Sequence, residues 1–204
     1  MSIEPPRILP GLNQCPHCGV ASPLLVEIWH GSPAASCQHT DVWGVYFCTR
    51  CGGIVTAKAT GLYNIENGYV EEVYPAVPSA HEDIPSIARR FLQQAMDTMQ
   101  SPDAAAVMAG AAVDAMLKEL GYEKGSVYSR IDEALADNKL TESMAKWAHV
   151  VRLGSNRPRH ADKENPHVSL TEAKQSVEFA EALGSFLFVL SAKIDRGIAA
   201  AEAA

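Results

Sequence analysis

Cys15-Pro16-His17-Cys18-Gly19 recurs in pattern as Cys48-Thr49-Arg50-Cys51-Gly52, and these two stretches decide how the first part of the chain folds. A Cys-x-x-Cys pair sets two sulfurs on one tight turn. The glycine after the second cysteine frees the backbone to aim its N–H groups at those sulfurs. Two such knuckles on facing hairpins complete a tetrahedron, so Cys15, Cys18, Cys48 and Cys51 are expected to hold a zinc ion. Four thiolates leave no position open for water or substrate, which makes the expected role structural. Cys-Pro-His-Cys is also a string used by oxidising thioredoxin-like proteins. Here, however, three prolines and no strand precede it, Gly19 to Pro23 break any helix after it, and a redox role leaves the second knuckle unexplained. Cys37, His39 and His17 are spare donors of the right type, and the spacing leaves open whether any of them touches the metal.

Outward from the knuckles, the sequence to about residue 78 is written in short β-rich runs separated by glycine, proline and asparagine. Strands are expected at Leu24 to His30, Val42 to Cys48, Ile54 to Ala59 and Tyr69 to Tyr74. Strands this short bury little core of their own, and a metal ties them together. Trp29, Trp43, Tyr46 and Phe47 are expected to cover this sheet and pack it onto the next domain; the sharper alternative is a stacking platform for unpaired bases.

From His81 the period becomes helical. Ile84, Ile87, Ala88, Phe91, Leu92, Ala95 and Met99 fall at spacings of three and four. Ser101-Pro102 starts a second helix that Gly121 stops, with a face of Met108, Ala112, Ala115, Met116 and Leu120; so many alanines imply close helix packing. A third helix is expected over Ser126 to Ala136, and a fourth capped by Thr141. Ser169-Leu170-Thr171-Glu172 is a capping box for a long fifth helix with Val177, Ala180, Leu183, Phe186, Leu187, Leu190 and Ile194 on its apolar face. The expected fold is α+β: an N-terminal antiparallel zinc ribbon, residues 1–78, and then a helical bundle of about five helices, residues 79–204.

Composition fits that plan. Hydrophobic residues make up 47% and charged residues 20%, as in a globular chain, and no run is long and apolar enough to span a membrane. With no apolar leader and an odd five cysteines, a cytoplasmic protein in a reducing compartment is expected. The net charge of −7 excludes a protein that coats nucleic acid through its global field. The local exception is Arg152 to Lys163, which holds Arg152, Arg157, Arg159, Lys163 and His160 against the single acid Asp162. Gly154, Asn156 and Pro158 predict a helix break there, bringing arginine, asparagine and histidine into one neighbourhood. An imidazole beside fixed cations can serve as acid or base on a phosphodiester held by arginine. Equally, such residues make turns and face solvent at a helix end.

Asp114 ahead of Met116-Leu117-Lys118, Tyr128-x-Arg130-Ile131, Trp147-Ala148-x-x-x-Arg152 and Ser155-Asn156-x-x-x-His160 together resemble the bacterial family called domain of unknown function 4145. That family is similar to the HEPN superfamily of helical nucleotide- and RNA-binding domains. The resemblance covers about residues 84 to 195 and implies a HEPN-like bundle, often preceded by a zinc knuckle pair. It further implies a homodimer, an RNA, nucleotide or protein partner, and a setting in bacterial defence. Catalytic HEPN members cleave RNA without metal, using arginine, a polar residue and histidine. The counterparts here are Arg152, Asn156 and His160, but seven residues separate the arginine from the histidine, more than the family pattern has. The leading expectation is therefore a non-catalytic or weakly catalytic binding module, with Arg157 and Arg159 as nucleic-acid contacts. The alternatives are an endoribonuclease using Arg152, Asn156 and His160, and a structural adaptor that docks a protein partner.

Overall fold

The structure is a computed structural model that describes residues 8–32, 41–61, 65, 67, 69–160 and 162–203. The chain divides into two compact units, Met1–Pro78 and Ser79–Ala204.

The first unit is an antiparallel sheet of β1 (Leu25–Gly31), β2 (Asp41–Cys48), β3 (Ile54–Thr60) and β4 (Glu72–Tyr74), hydrogen-bonded in chain order. Its cause is visible in β2, where Val42, Gly44, Tyr46 and Cys48 are buried and the residues between them are not. That alternation puts one face on a core of Leu25, Tyr46, Val55 and Ala57, closed by Leu9 and Ile65. Leu9 is tied in by its N–H bond to the Leu25 carbonyl, 3.0 Å. Among the β2 residues that alternate with this buried set, Trp43 stacks on Tyr74 with ring centroids 6.1 Å apart. Lys58 lies 3.4 Å from Asp41 and 3.0 Å from Glu72. The expected aromatic set therefore splits: Tyr46 is core, Trp43 and Phe47 are partly buried, and Trp29 is about half exposed.

The second unit has five helices among the described residues: α1 (Ser86–Asp97), α2 (Pro102–Glu119), α3 (Val127–Ala136), α4 (Glu142–Arg159) and a long last helix. The last begins as α5 (Leu170–Gly184), widens into a π-helical turn at Ser185–Val189 and continues as α6 (Leu190–Glu202). The α2 helix is central and packs on α1, α3, α4 and α5. Its small side chains explain that position, since Ala105, Ala106, Ala109, Ala112 and Ala115 are all buried and let four neighbours approach. At Gly110 the approach to α4 is close: a Cβ there would meet Ser155 Oγ at 2.6 Å. Asp114 of α2 accepts from Arg130 of α3, whose guanidinium also donates to the Glu123 carbonyl at 2.9 Å. Arg130 is only 8% exposed, so this pair fastens α3 to α2 from the inside.

Two expectations change. Ile87, assigned to the apolar face of α1, is 59% exposed, and Met96 is buried instead. The helix break expected between Arg152 and Pro158 is absent, because α4 runs through Gly154 and Asn156 to Arg159. Pro158 sits one residue from the helix end. Its missing N–H costs a single bond in a turn whose carbonyls are already losing intrahelical partners, and His160 still donates its N–H to the Asn156 carbonyl at 3.1 Å.

Candidate metal centre and helical site

The two knuckles fold alike. Gly19 N–H bonds the Cys15 carbonyl and Gly52 N–H bonds the Cys48 carbonyl, both at 2.8 Å. Cys15 N–H reaches the Val20 carbonyl and Cys48 N–H the Gly53 carbonyl, both at 2.9 Å. Gly19 and Gly52 take φ values of 67° and 72°, the left-handed region that a side chain disfavours. These turns bring the four sulfurs within 4.8 Å of one another, with Cys15 and Cys51 Sγ 3.9 Å apart. A tetrahedral ion bonded to sulfur at about 2.3 Å needs sulfurs about 3.8 Å apart, so the four cysteines fit a metal ion. In the thiol form, burial pushes Cys18 up to about 12 and also raises Cys15. Burial raises Cys48 too, but the backbone N–H groups of Cys51 and Arg50 and the neighbouring thiols outweigh it and leave Cys48 below the usual thiol range. A metal that takes Cys15 and Cys18 as thiolates must displace protons that burial holds on them.

His17 does not join the cluster. Its ring lies over Gly53, where a Cβ would meet it at 2.5 Å, and Nε2 is 2.7 Å from the Ile54 carbonyl oxygen. It ties the first knuckle to the second. Cys37 and His39 lie outside the described residues.

In the second unit, an unbroken α4 decides which charged groups share a face. Arg152, Asn156 and His160 succeed one another at single-turn spacing. Arg152, Asn156 and Arg159 line one narrow cleft with Gly110, Val127 and Ser155. Arg159 also borders a wider pocket of about 450 Å³ with Ile87, Phe91 and Lys118. Arg157 points the other way, where it pairs with Glu172. The sequence places Arg157 and Arg159 together, and the helix separates them. Ser155, 3% exposed, anchors the cleft by donating to the Arg152 carbonyl at 3.0 Å and seating against Gly110.

Sequence reasoning missed His149 and Asp132 and noted Tyr128 only through the family resemblance. His149 Nε2 lies 3.0 Å from Asp132 Oδ1, and its ring is tilted against Tyr128 with centroids 4.6 Å apart. The Arg152 guanidinium carbon lies 5.3 Å from the centroid of the same Tyr128 ring. The signal was available: His149 precedes Arg152 by three residues, one turn, but it shows only when the segment is read as continuous helix.

The sequence profile of a family described as a domain of unknown function (DUF4145) matches residues 79–199. The chain belongs to the DUF4145 family. The match falls on the helical unit and leaves the cysteine cluster outside it. No curated protein and no solved structure matches the chain. In this DUF4145 domain, Asp114 and Arg130, both within the resembling motifs, form a structural pair, whereas Arg152, Asn156, Arg159 and His160 have no hydrogen-bonding or ionic side-chain partner among the described residues. No helix among the described residues is long and apolar enough to cross a membrane.

Proposed function

We propose that the chain is a structural-zinc ribbon joined to a HEPN-like DUF4145 domain whose α4 face binds RNA or a nucleotide through its phosphates, without a requirement to cleave it. One observation carries this reading: the half-buried guanidinium of Arg152 has no carboxylate partner in a chain with an excess of acids, and the uncommitted Asn156 and Arg159 line the same cleft. A cation removed from water without a counter-ion is costly, and a phosphate relieves that cost. Arg157, already held by Glu172, supports the helix end, and the phosphate-contacting role passes to Arg152 and Arg159. The working unit is a homodimer in a bacterial defence setting, read from the family resemblance.

The test is a titration of the metal-replete protein with a labelled single-stranded RNA at several salt concentrations. Affinity is expected to fall as salt rises, and Arg152→Ala to weaken binding about tenfold, the loss of one charge-assisted contact. RNA that fails to bind at low salt, or binds Arg152→Ala and Arg159→Ala as well as wild type, overturns the reading. A second reading, an endoribonuclease, is favoured by the single-turn spacing of Arg152, Asn156 and His160. It requires cleavage in chelator that His160→Ala abolishes while the fold is retained. The third reading, a protein-docking adaptor, draws on the half-exposed Phe186, Leu190, Ile194 and Ile198.

A further inference from the structure

Building on the phosphate-binding reading of α4, we infer that His149 is the second phosphate contact of this site: it forms with Arg152 a two-donor clamp, beneath the ring of Tyr128, for a phosphate of single-stranded RNA. Among the described residues three buried side-chain nitrogens lack a hydrogen-bond partner: Arg130 Nε, His149 Nδ1 and Arg152 Nε. The first belongs to the structural pair between α2 and α3. The other two lie one turn apart on α4 and against the same aromatic ring, with Tyr128 centred 4.6 Å from the His149 ring and 5.3 Å from the Arg152 guanidinium carbon. Buried polar atoms without partners are uncommon, and two together mark a place where a polar group is missing.

The chemistry of that group derives from the two nitrogens. Asp132 only accepts, so the hydrogen bond it makes with His149 assigns the ring proton to Nε2. Nδ1, buried and without a partner, is then the ring nitrogen left for a further bond, and the doubly protonated imidazole carries an N–H donor there. Arg152 Nε–H is always a donor. An atom that accepts from both is an anionic oxygen, and a phosphate supplies it. Tyr128, 51% exposed, packs against both side chains, so a phosphate that reaches the two nitrogens displaces its ring, which is then presented to an adjacent unpaired base.

The groups facing His149 are few. From α3 they are Asp132 and Tyr128, and on α4 itself Arg152 lies one turn on. On α2, Asp103 is engaged with His167 and the Val168 N–H, and Asp114 with Arg130 and Lys118. On α5, Glu172 holds Arg157. Among the described residues no hydrogen bond or ion pair reaches His149 from α2 or α5.

The experiment uses the full metal-replete chain and a labelled oligouridylate without terminal phosphate, whose diester charge is constant across the range tested. Wild type is expected to bind about tenfold more tightly at pH 6 than at pH 8, as the imidazole gains its second N–H. His149→Gln keeps a donor for Asp132 but offers nothing at the Nδ1 position, and is expected to lose that gain and bind at the wild-type pH 8 level throughout. His149→Asn, with a permanent donor near Nδ1, is expected to retain binding with no pH response. Thermal unfolding of each variant checks the fold. A 5′-phosphorylated copy of the probe separates sources: equal binding assigns the clamp to backbone diesters, and a gain of tenfold or more that His149→Gln removes assigns it to a terminal phosphate. If both His149 variants match wild type in affinity and pH response while Arg152→Gln loses binding, the clamp is wrong and the phosphate-binding reading stands. If wild type binds neither probe at either pH, both fall.

Discussion

A glycine opposite a serine sets how closely α4 lies on α2. With no Cβ at position 110, Ser155 reaches into the gap, and Arg152 and Asn156 are held on either side of it. Gly110→Ala places a methyl 2.6 Å from Ser155 Oγ and 2.7 Å from its Cβ. The expected cost is about 1–3 kcal/mol of stability, as for other overpacked interfaces. Adding Ser155→Gly is expected to restore most of the packing loss, a rescue that denaturant unfolding of the single and double variants reads directly. Glu172 supplies a second residue-level prediction. The backbone and hydroxyl of Ser169, then Arg157, hold its carboxyl at about 2, below the ordinary glutamate value. A folded-state value lowered in this way adds stability above about pH 4.5, which is lost as pH falls toward 2. Glu172→Gln is expected to be less stable than wild type at pH 7 and to lose less between pH 5 and pH 2, measured by thermal midpoints across that range.

At the scale of elements, what the sequence revealed and what it concealed have separate physical causes. The strand at Val42 to Cys48, the cap at Thr141 and the Ser169/Glu172 capping box are local signals, set by neighbours close in sequence, and each appears where expected. The path of α4 is not local. Gly154, Asn156 and Pro158 all argue for a break, yet packing of Ala145, Ala148, Val151 and Ser155 against the bundle carries the helix through them. That one difference moves Arg157 away from Arg159 and brings His149 into line with Arg152. Hence the four cysteines that cluster were readable to the residue, whereas the α4 cluster emerged only in three dimensions. The last helix provides the element-scale test. After the π turn it has no buried residue in α6, and Phe186, Leu190, Ile194 and Ile198 form a half-exposed stripe at intervals of four. Under the homodimer reading this stripe is an interface. Leu190→Asp together with Ile194→Asp is expected to yield a monomer by sedimentation with helical content unchanged; an unaltered sedimentation coefficient counts against the stripe.

For the whole molecule, the two units rest on different sources of stability. The helical unit has a continuous core from Ile84 to Leu183. The sheet unit has a much smaller one, in which Cys15 and Cys48 are themselves members. Metal removal is therefore expected to unfold the first unit and spare the second: a strong chelator should abolish the near-ultraviolet signal of Trp29 and Trp43 while far-ultraviolet helicity persists. Cys48→Ser is expected to do the same without chelator. The four sulfurs are also unequal in their access to solvent, with Cys15 and Cys48 buried, Cys18 between, and Cys51 exposed. Traffic through the centre is accordingly one-sided. An incoming ion, a competing chelator or an oxidant meets Cys51 first, so an ion held by all four sulfurs would leave at a rate set by how often that one lets go, and a bulky group placed beside it would slow both loading and loss without altering the equilibrium between them.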